Sequence, residues 1–118
     1  MPQNAIVEKS FAFSVRVVRL YRYLSHCKKE YILSRQICRS GTSIGANVSE
    51  AQRALSRADF AAKMGIALKE ANETQYWLQL LRSSGYLTER QFKSLHEDLN
   101  EVLRLLTAIC KRVSVIAR

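Results

Sequence analysis

Proline is all but missing from this chain: Pro2 is the only one, and just four of the 118 residues are glycine. So few turn-formers exclude a fold made of many short strands and tight turns, and leave long helices with short connections. No apolar run approaches the roughly 20 residues of a membrane span, so no membrane partner is expected. The three cysteines (Cys27, Cys38 and Cys110) form no C-x-x-C pair, which excludes a zinc ribbon and a disulfide framework and leaves reduced thiols packed as small apolar groups. The only histidines, His26 and His96, have no partner at metal-ligand spacing, and the Glu-x-x-His pairs of a di-metal bundle are absent. No cofactor or metal is expected. Near the N-terminus, Glu8, Lys9 and Ser10 interrupt the apolar residues too early for a signal-peptide pattern, so a cytoplasmic location is expected.

Acidic residues are scarce as well, ten against 19 Lys and Arg, for a formal charge of +9. Residues 1–55 hold nine of the cations and three of the acids, so the basic excess is concentrated in the first half. Such a field attracts polyanions, of which nucleic acid is the commonest in the cytoplasm.

What the chain does have is helical periodicity. In residues 4–28, with Asn4 as the expected N-cap, Ile6, Ser10, Phe13, Val17, Leu20 and Leu24 mark one face. Phe11, Val15 and Val18 form a second apolar stripe, which predicts burial against a sister subunit. Arg16, Arg19, Arg22, Lys28 and Lys29 fill the remaining surface, with Glu8 the one acid within residues 4–28. A second helix is predicted over residues 31–55. Its face (Ile37, Gly41, Ile44, Val48, Ala51, Leu55) passes through a run of Gly, Ser, Thr and Asn that propensity alone would make a loop. The conflict resolves if Gly41 and Gly45 let a neighbouring backbone come close, with Asn47 partly buried beside them; each glycine costs about 0.5–1 kcal/mol in a helix. The spacing argues against a phosphate-binding loop, for the run matches neither glycine-rich fingerprint and follows no strand.

Ser56 and Asp59 resemble a capping box opening a third helix over 57–83, with Phe60, Met64, Ala67, Ala71, Leu78 and Leu81 on its apolar face, Thr74 in the one polar slot and Gly85 as its stop. Thr88 and Gln91 open a fourth over 89–116, in which Phe92, Leu95, Leu99, Val102, Leu106, Ile109, Val113 and Ile116 alternate spacings of three and four without a miss. The expectation is one all-α domain, an antiparallel up-down-up-down four-helix bundle. Glu70 and Glu73 are placed to meet Glu50 across the bundle, but a structural role is expected, with Glu73 accepting from Asn47 or an arginine. Tyr76 and Trp77, flanked by leucines, read as core or interface anchors, whereas Tyr21, Tyr23 and Tyr31, interleaved with cations, are the better candidates to stack on bases.

The run Arg39–Ala51 (RSGTSIGANVSEA) resembles the signature of a bacterial family, the four helix bundle or ribosomal-intervening-sequence proteins. Ser56–Phe60 (SRADF), Ile66–Leu78 (IALKEANETQYWL), Glu8–Ser10, Tyr21 and Leu24 carry the same resemblance over nearly the whole chain. Some members are encoded within large-subunit ribosomal RNA genes, the origin of the label "S23 ribosomal protein". The resemblance implies a homo-oligomer, typically a pentameric ring, and a relation to the accessory protein of diversity-generating retroelements, which binds nucleic acid and a reverse transcriptase. The sequence-level expectation is a non-catalytic oligomer that presents Arg16, Arg19, Arg22, Lys28, Lys29, Arg35 and Arg39 to the phosphates of RNA or DNA. The alternative is a scaffold docking an acidic protein, such as a reverse transcriptase, on the same face.

Overall fold

Four helices follow one another: α1 (Pro2–His26), α2 (Leu33–Ala51), α3 (Arg57–Ser83) and α4 (Glu89–Ala117). The structure, a computed structural model, describes residues 2–117, with side chains from 5 to 114. Each helix packs on the next and α4 closes on α1, a square section in a rod of 46 × 21 × 21 Å. Cross-helix contacts fix the directions. Gly41 meets Val17 while Gly45 meets Ser10 and Ser14, Arg39 reaches Glu73 while Glu50 reaches Lys63, and Arg16 reaches Asp98 while Lys9 reaches Glu101. In each pair the numbering rises on one helix as it falls on the other, so the bundle is antiparallel up-down-up-down.

The predicted faces of α1, α3 and α4 are the core faces. Ile6, Phe13, Val17 and Leu24 of α1, Met64, Ala67, Ala71, Leu78 and Leu81 of α3, and Leu99, Val102, Leu106 and Ile109 of α4 are all almost wholly buried. Ser10 and Thr74, the polar members of their faces, are buried too and hydrogen-bonded: Ser10 Oγ donates to the Val7 carbonyl at 3.3 Å and Thr74 Oγ1 lies 2.9 Å from Ser40 Oγ. Ile116, the last predicted seam position of α4, lies outside the described side chains.

The N-caps of α3 and α4 form as expected, and the full reciprocal box closes at Thr88 and Gln91, the shorter Asp59 leaving that at Ser56 one-sided. Ser56 Oγ accepts from the Asp59 N–H, and Thr88 and Gln91 exchange bonds, each side chain accepting from the other's N–H. Gly85, at φ 84°, closes α3 with a bond from Gly85 N–H to Arg82 O and one from Tyr86 N–H to Leu81 O, the Schellman arrangement.

The ends of α1 and α2 differ from expectation. α1 begins at Pro2, so Asn4 lies inside the helix and not at its N-cap, its side chain being outside the described ones. α1 ends at His26, two residues early, because Lys29 turns left-handed (φ 55°) and sends the Glu30 N–H back to the Leu24 carbonyl at 2.9 Å. α2 starts at Leu33 and not at Tyr31. The buried Glu30 carboxylate caps it, accepting from the N–H groups of Ile32 (3.1 Å), Leu33 (3.0 Å) and Ser34 (2.7 Å). At its other end α2 stops at Ala51, and Leu55 is 97% exposed, not part of the seam. The chain tightens there into i→i−3 bonds at Gln52, Arg53 and Ala54, and Ser56 must be extended (φ −152°) to cap α3.

The glycine-rich run is helical for the reason its composition suggests. A Cβ on Gly41 would sit 2.8 and 2.9 Å from the two methyls of Val17, and one on Gly45 would sit 3.0 Å from Ser14 Oγ and 3.3 Å from the Ser10 carbonyl oxygen. α1 and α2 therefore approach more closely than residues with side chains would allow. Asn47 is half-buried, as expected, but its amide donates to Ser43 O at 2.8 Å within its own helix and does not need Glu73.

Candidate polyanion interface

An arginine or lysine offers charge to a ligand in proportion to how little of it is already balanced by carboxylates. On that criterion the seven cations named from the sequence divide. Arg16 is occupied: Nη1 donates to the Asp98 carboxylate at 2.7 Å and to the Ser94 carbonyl at 3.1 Å, and Nη2 to Ser94 Oγ at 3.0 Å. The acids in which α1 is poor are supplied by α4, far along the chain (Asp98 for Arg16, Glu101 for Lys9). One-dimensional charge spacing could not reveal that pairing.

Arg39 is occupied more completely. It bridges α2 to α3, donating to Glu70 Oε1 at 3.1 Å and to Glu73 Oε2. Glu73 also accepts from the Trp77 indole N–H at 3.0 Å. The Trp77 bond, joined by Arg39 and the charge of Lys69, outweighs burial and holds the Glu73 carboxyl below its usual range. Glu73 in turn pushes the Arg39 guanidinium upward. With the buried Ser40–Thr74 bond between the residues next in sequence, this is a polar clasp across the α2–α3 seam. Glu50 is not part of it; it faces Lys63 at 3.8 Å. Among the described residues no group of acids, histidines and cysteines is placed to hold a metal.

The other five, Arg19, Arg22, Lys28, Lys29 and Arg35, are all exposed. Among the described residues none has a carboxylate within salt-bridge distance. They surround the end of the rod where α1 finishes and α2 begins. Arg35 Nε donates to the Tyr31 carbonyl at 2.8 Å, and Lys28 Nζ lies 5.9 Å from the Tyr23 ring centre. The one acid inside this stretch, Glu30, has its carboxylate turned inward onto the amides of α2. A second group, Arg53, Arg57, Lys111 and Arg112, is exposed at the opposite end. Summing charge by halves of the chain obscured it, because most acids of α3 and α4 offset its cations in the sum while sitting elsewhere on the rod, Asp59 in the first turn of α3 being the exception.

The tyrosines separate similarly. Tyr21 and Tyr23 are half-buried, and Tyr23 packs against the core; Tyr31 is 49% exposed. Trp77 is a core-edge residue as expected, but its neighbour Tyr76 points outward, 59% exposed. Phe11, Val15 and Val18 also face outward, Phe11 at 70% exposure, so α1 does carry a second apolar stripe that its own bundle leaves uncovered. Cys38 and Cys110 are half-buried, and burial pushes both thiols upward, away from reactivity. Cys27 is exposed and does not pack as a small apolar group. Among the described residues no helix is long and apolar enough to cross a membrane.

Residues 2–108 match the family described as 23S rRNA-intervening sequence protein. A crystal structure of a protein with unknown function from the S23 ribosomal protein family, from Bacteroides thetaiotaomicron, is 52% identical and superposes with a TM-score of 0.92, covering 94% of this chain and 99% of that one. None of the curated proteins compared with the chain matches it.

Proposed function

Given that the chain belongs to the 23S rRNA-intervening sequence protein family, we propose that it is a non-catalytic, cytoplasmic, self-assembling bundle that binds nucleic acid through the phosphate backbone. The observation that carries this reading is the set of five cations, Arg19, Arg22, Lys28, Lys29 and Arg35, gathered at one end of the rod without carboxylate partners among the described residues. A surface of net charge alone reads no sequence, so RNA and DNA of any composition should bind and salt should release them steeply. Arg16 and Arg39, held by their own carboxylates, are assigned to stability. Binding of polynucleotides is tested by filter retention from low to moderate salt. Replacing Arg19 and Arg22 together by glutamine is expected to weaken retention by roughly tenfold and to flatten the log–log salt slope by about 2, one for each phosphate no longer neutralised. Retention and slope both equal to wild type would remove these two residues from the interface. Selective retention of an acidic protein in place of nucleic acid would favour the scaffold reading.

Self-assembly, a pentamer by the family's habit, is supported by the outward stripe of Phe11, Val15 and Val18. Repetition of a weak cationic surface around an assembly multiplies its affinity through effective concentration. Phe11 touches so little of its own bundle that Phe11→Glu should leave the far-ultraviolet circular dichroism of the folded chain unchanged at about 25 °C, while the melting midpoint falls by whatever subunit association contributes. The same change is expected to shift the light-scattering mass from an oligomer toward the 13.5 kDa chain. An unaltered oligomer would place the interface elsewhere.

A further inference from the structure

The turn between α1 and α2 is more than a cluster of charge. Tyr31 and Ile32, 49% and 74% exposed, project beside Lys28, Lys29 and Arg35, all exposed. An aromatic and an aliphatic side chain this open at a helix junction would be expected to be mobile. Here the backbone beneath them is fixed. The buried Glu30 carboxylate holds the N–H groups of Ile32, Leu33 and Ser34, the Ser34 hydroxyl donates to the Glu30 carbonyl at 2.9 Å, and the Glu30 N–H returns to Leu24. Arg35 Nε is anchored on the Tyr31 carbonyl itself, which ties a guanidinium to the residue that carries the ring.

Resting on the phosphate-binding reading above, we propose that this turn binds single-stranded polynucleotide, with an unpaired base stacked on Tyr31 and the flanking phosphates on Lys28, Lys29 and Arg35. Three features favour it over duplex. In a duplex the base faces are already stacked, so an exposed ring has no face to meet. Ile32, next to the ring, has no donor or acceptor with which to read a groove edge and suits an unstacked base. The turn is ordered before binding, so little conformational entropy is lost when it engages. The other tyrosines lack the combination. Tyr21, Tyr23 and Tyr86 are half-buried, Tyr23 and Tyr86 against the core. Tyr76, though exposed, has no lysine or arginine within five positions on either side, and the guanidinium of Arg82, just beyond, lies over Phe92 at 4.0 Å.

The test is fluorescence anisotropy with labelled oligomers, about 20 nucleotides long, of uridine and of thymidine, and with a mixed-sequence duplex of the same length, enough to span a typical single-strand site. Tyr31→Ala is expected to weaken single-strand binding by roughly 5- to 100-fold, the range for removing one stacked aromatic. Duplex binding should change by less than about twofold, since its bases are already stacked. Tyr31→Phe should restore single-strand binding, because stacking needs the ring and not the hydroxyl. The salt slope of Tyr31→Ala should equal wild type, for a stacked base releases no counterions. Equal losses on single strand and duplex, or no loss on either, would overturn the proposal while leaving phosphate binding intact. Wild-type protein that retains neither would sink both. A polyglutamate peptide whose binding falls with Tyr31→Ala as far as the oligonucleotides' does would make the turn a protein-docking site instead.

Discussion

Gly41→Leu is expected to lower the stability of the bundle by about 3 kcal/mol or more, at or beyond the upper end of the usual overpacking range. Even the first carbon of the new side chain would sit 2.8 Å from one methyl of Val17 and 2.9 Å from the other. Val17 is wholly buried and β-branched, so its χ1 is stiff and it has nowhere to turn. Relief must come from moving α1 away from α2, which would loosen the whole seam. Gly45→Leu follows the same logic with a smaller first clash, against Ser14 Oγ at 3.0 Å and the Ser10 carbonyl at 3.3 Å. Gly65 provides the opposite sign. It lies exposed in the middle of α3 with nothing within 4 Å of a Cβ, so Gly65→Ala should gain about 0.5–1 kcal/mol from helix propensity alone. Urea or thermal melts of the three variants check the set. Gly41→Leu melting with wild type would mean that α2 is rotated away from the seam described above.

Glu30→Ala should cost about 2–3 kcal/mol, since it strips a buried charged acceptor from three amides at once. Glu30→Gln should recover part of this, because one amide oxygen remains to accept. The loss also carries a pH signature. Burial alone would raise the Glu30 carboxyl, but the bonds from the Leu33, Ser34 and Ile32 amides outweigh it and hold the group below its ordinary value of 4.5. A folded value below the unfolded one means that the contribution is complete above about pH 4.5 and disappears as pH falls through the folded value. The stability gap between wild type and Glu30→Gln should therefore be widest near neutrality and shrink in acid. A gap that stays constant from about pH 7 down to about pH 3 would show that the carboxylate's charge plays no part in capping α2.

Much of this architecture is legible in the order of residues. Periodicity located the buried face of each helix, and Ser56, Gly85 and Thr88 marked helix ends because caps are local chemistry read within three or four positions. Gly41 and Gly45 announced a close approach through the cost they would otherwise impose. The errors have one source, interactions between positions far apart or between side chain and fold. Arg16 and Arg39 looked unpaired because Asp98, Glu70 and Glu73 are 31 to 82 positions away. Leu55 fitted the period of α2, yet the next helix claimed Ser56 as its cap and ended the period first. Glu30 fell unassigned between the predicted helices 4–28 and 31–55 because its role, reaching forward onto three amides, depends on a left-handed turn at Lys29 that no propensity announces.

The linear order of residues thus determined that four helices form, which stripe of each is apolar, and that cations outnumber acids, since each depends on neighbours within a turn or on simple totals. Which cations remain free, which tyrosine faces outward, and how tightly α1 and α2 meet were decided only by tertiary packing. Charge balance, exposure and clearance are properties of three-dimensional neighbourhoods, and in this bundle those neighbours come from helices that the chain reaches long after the residues they serve.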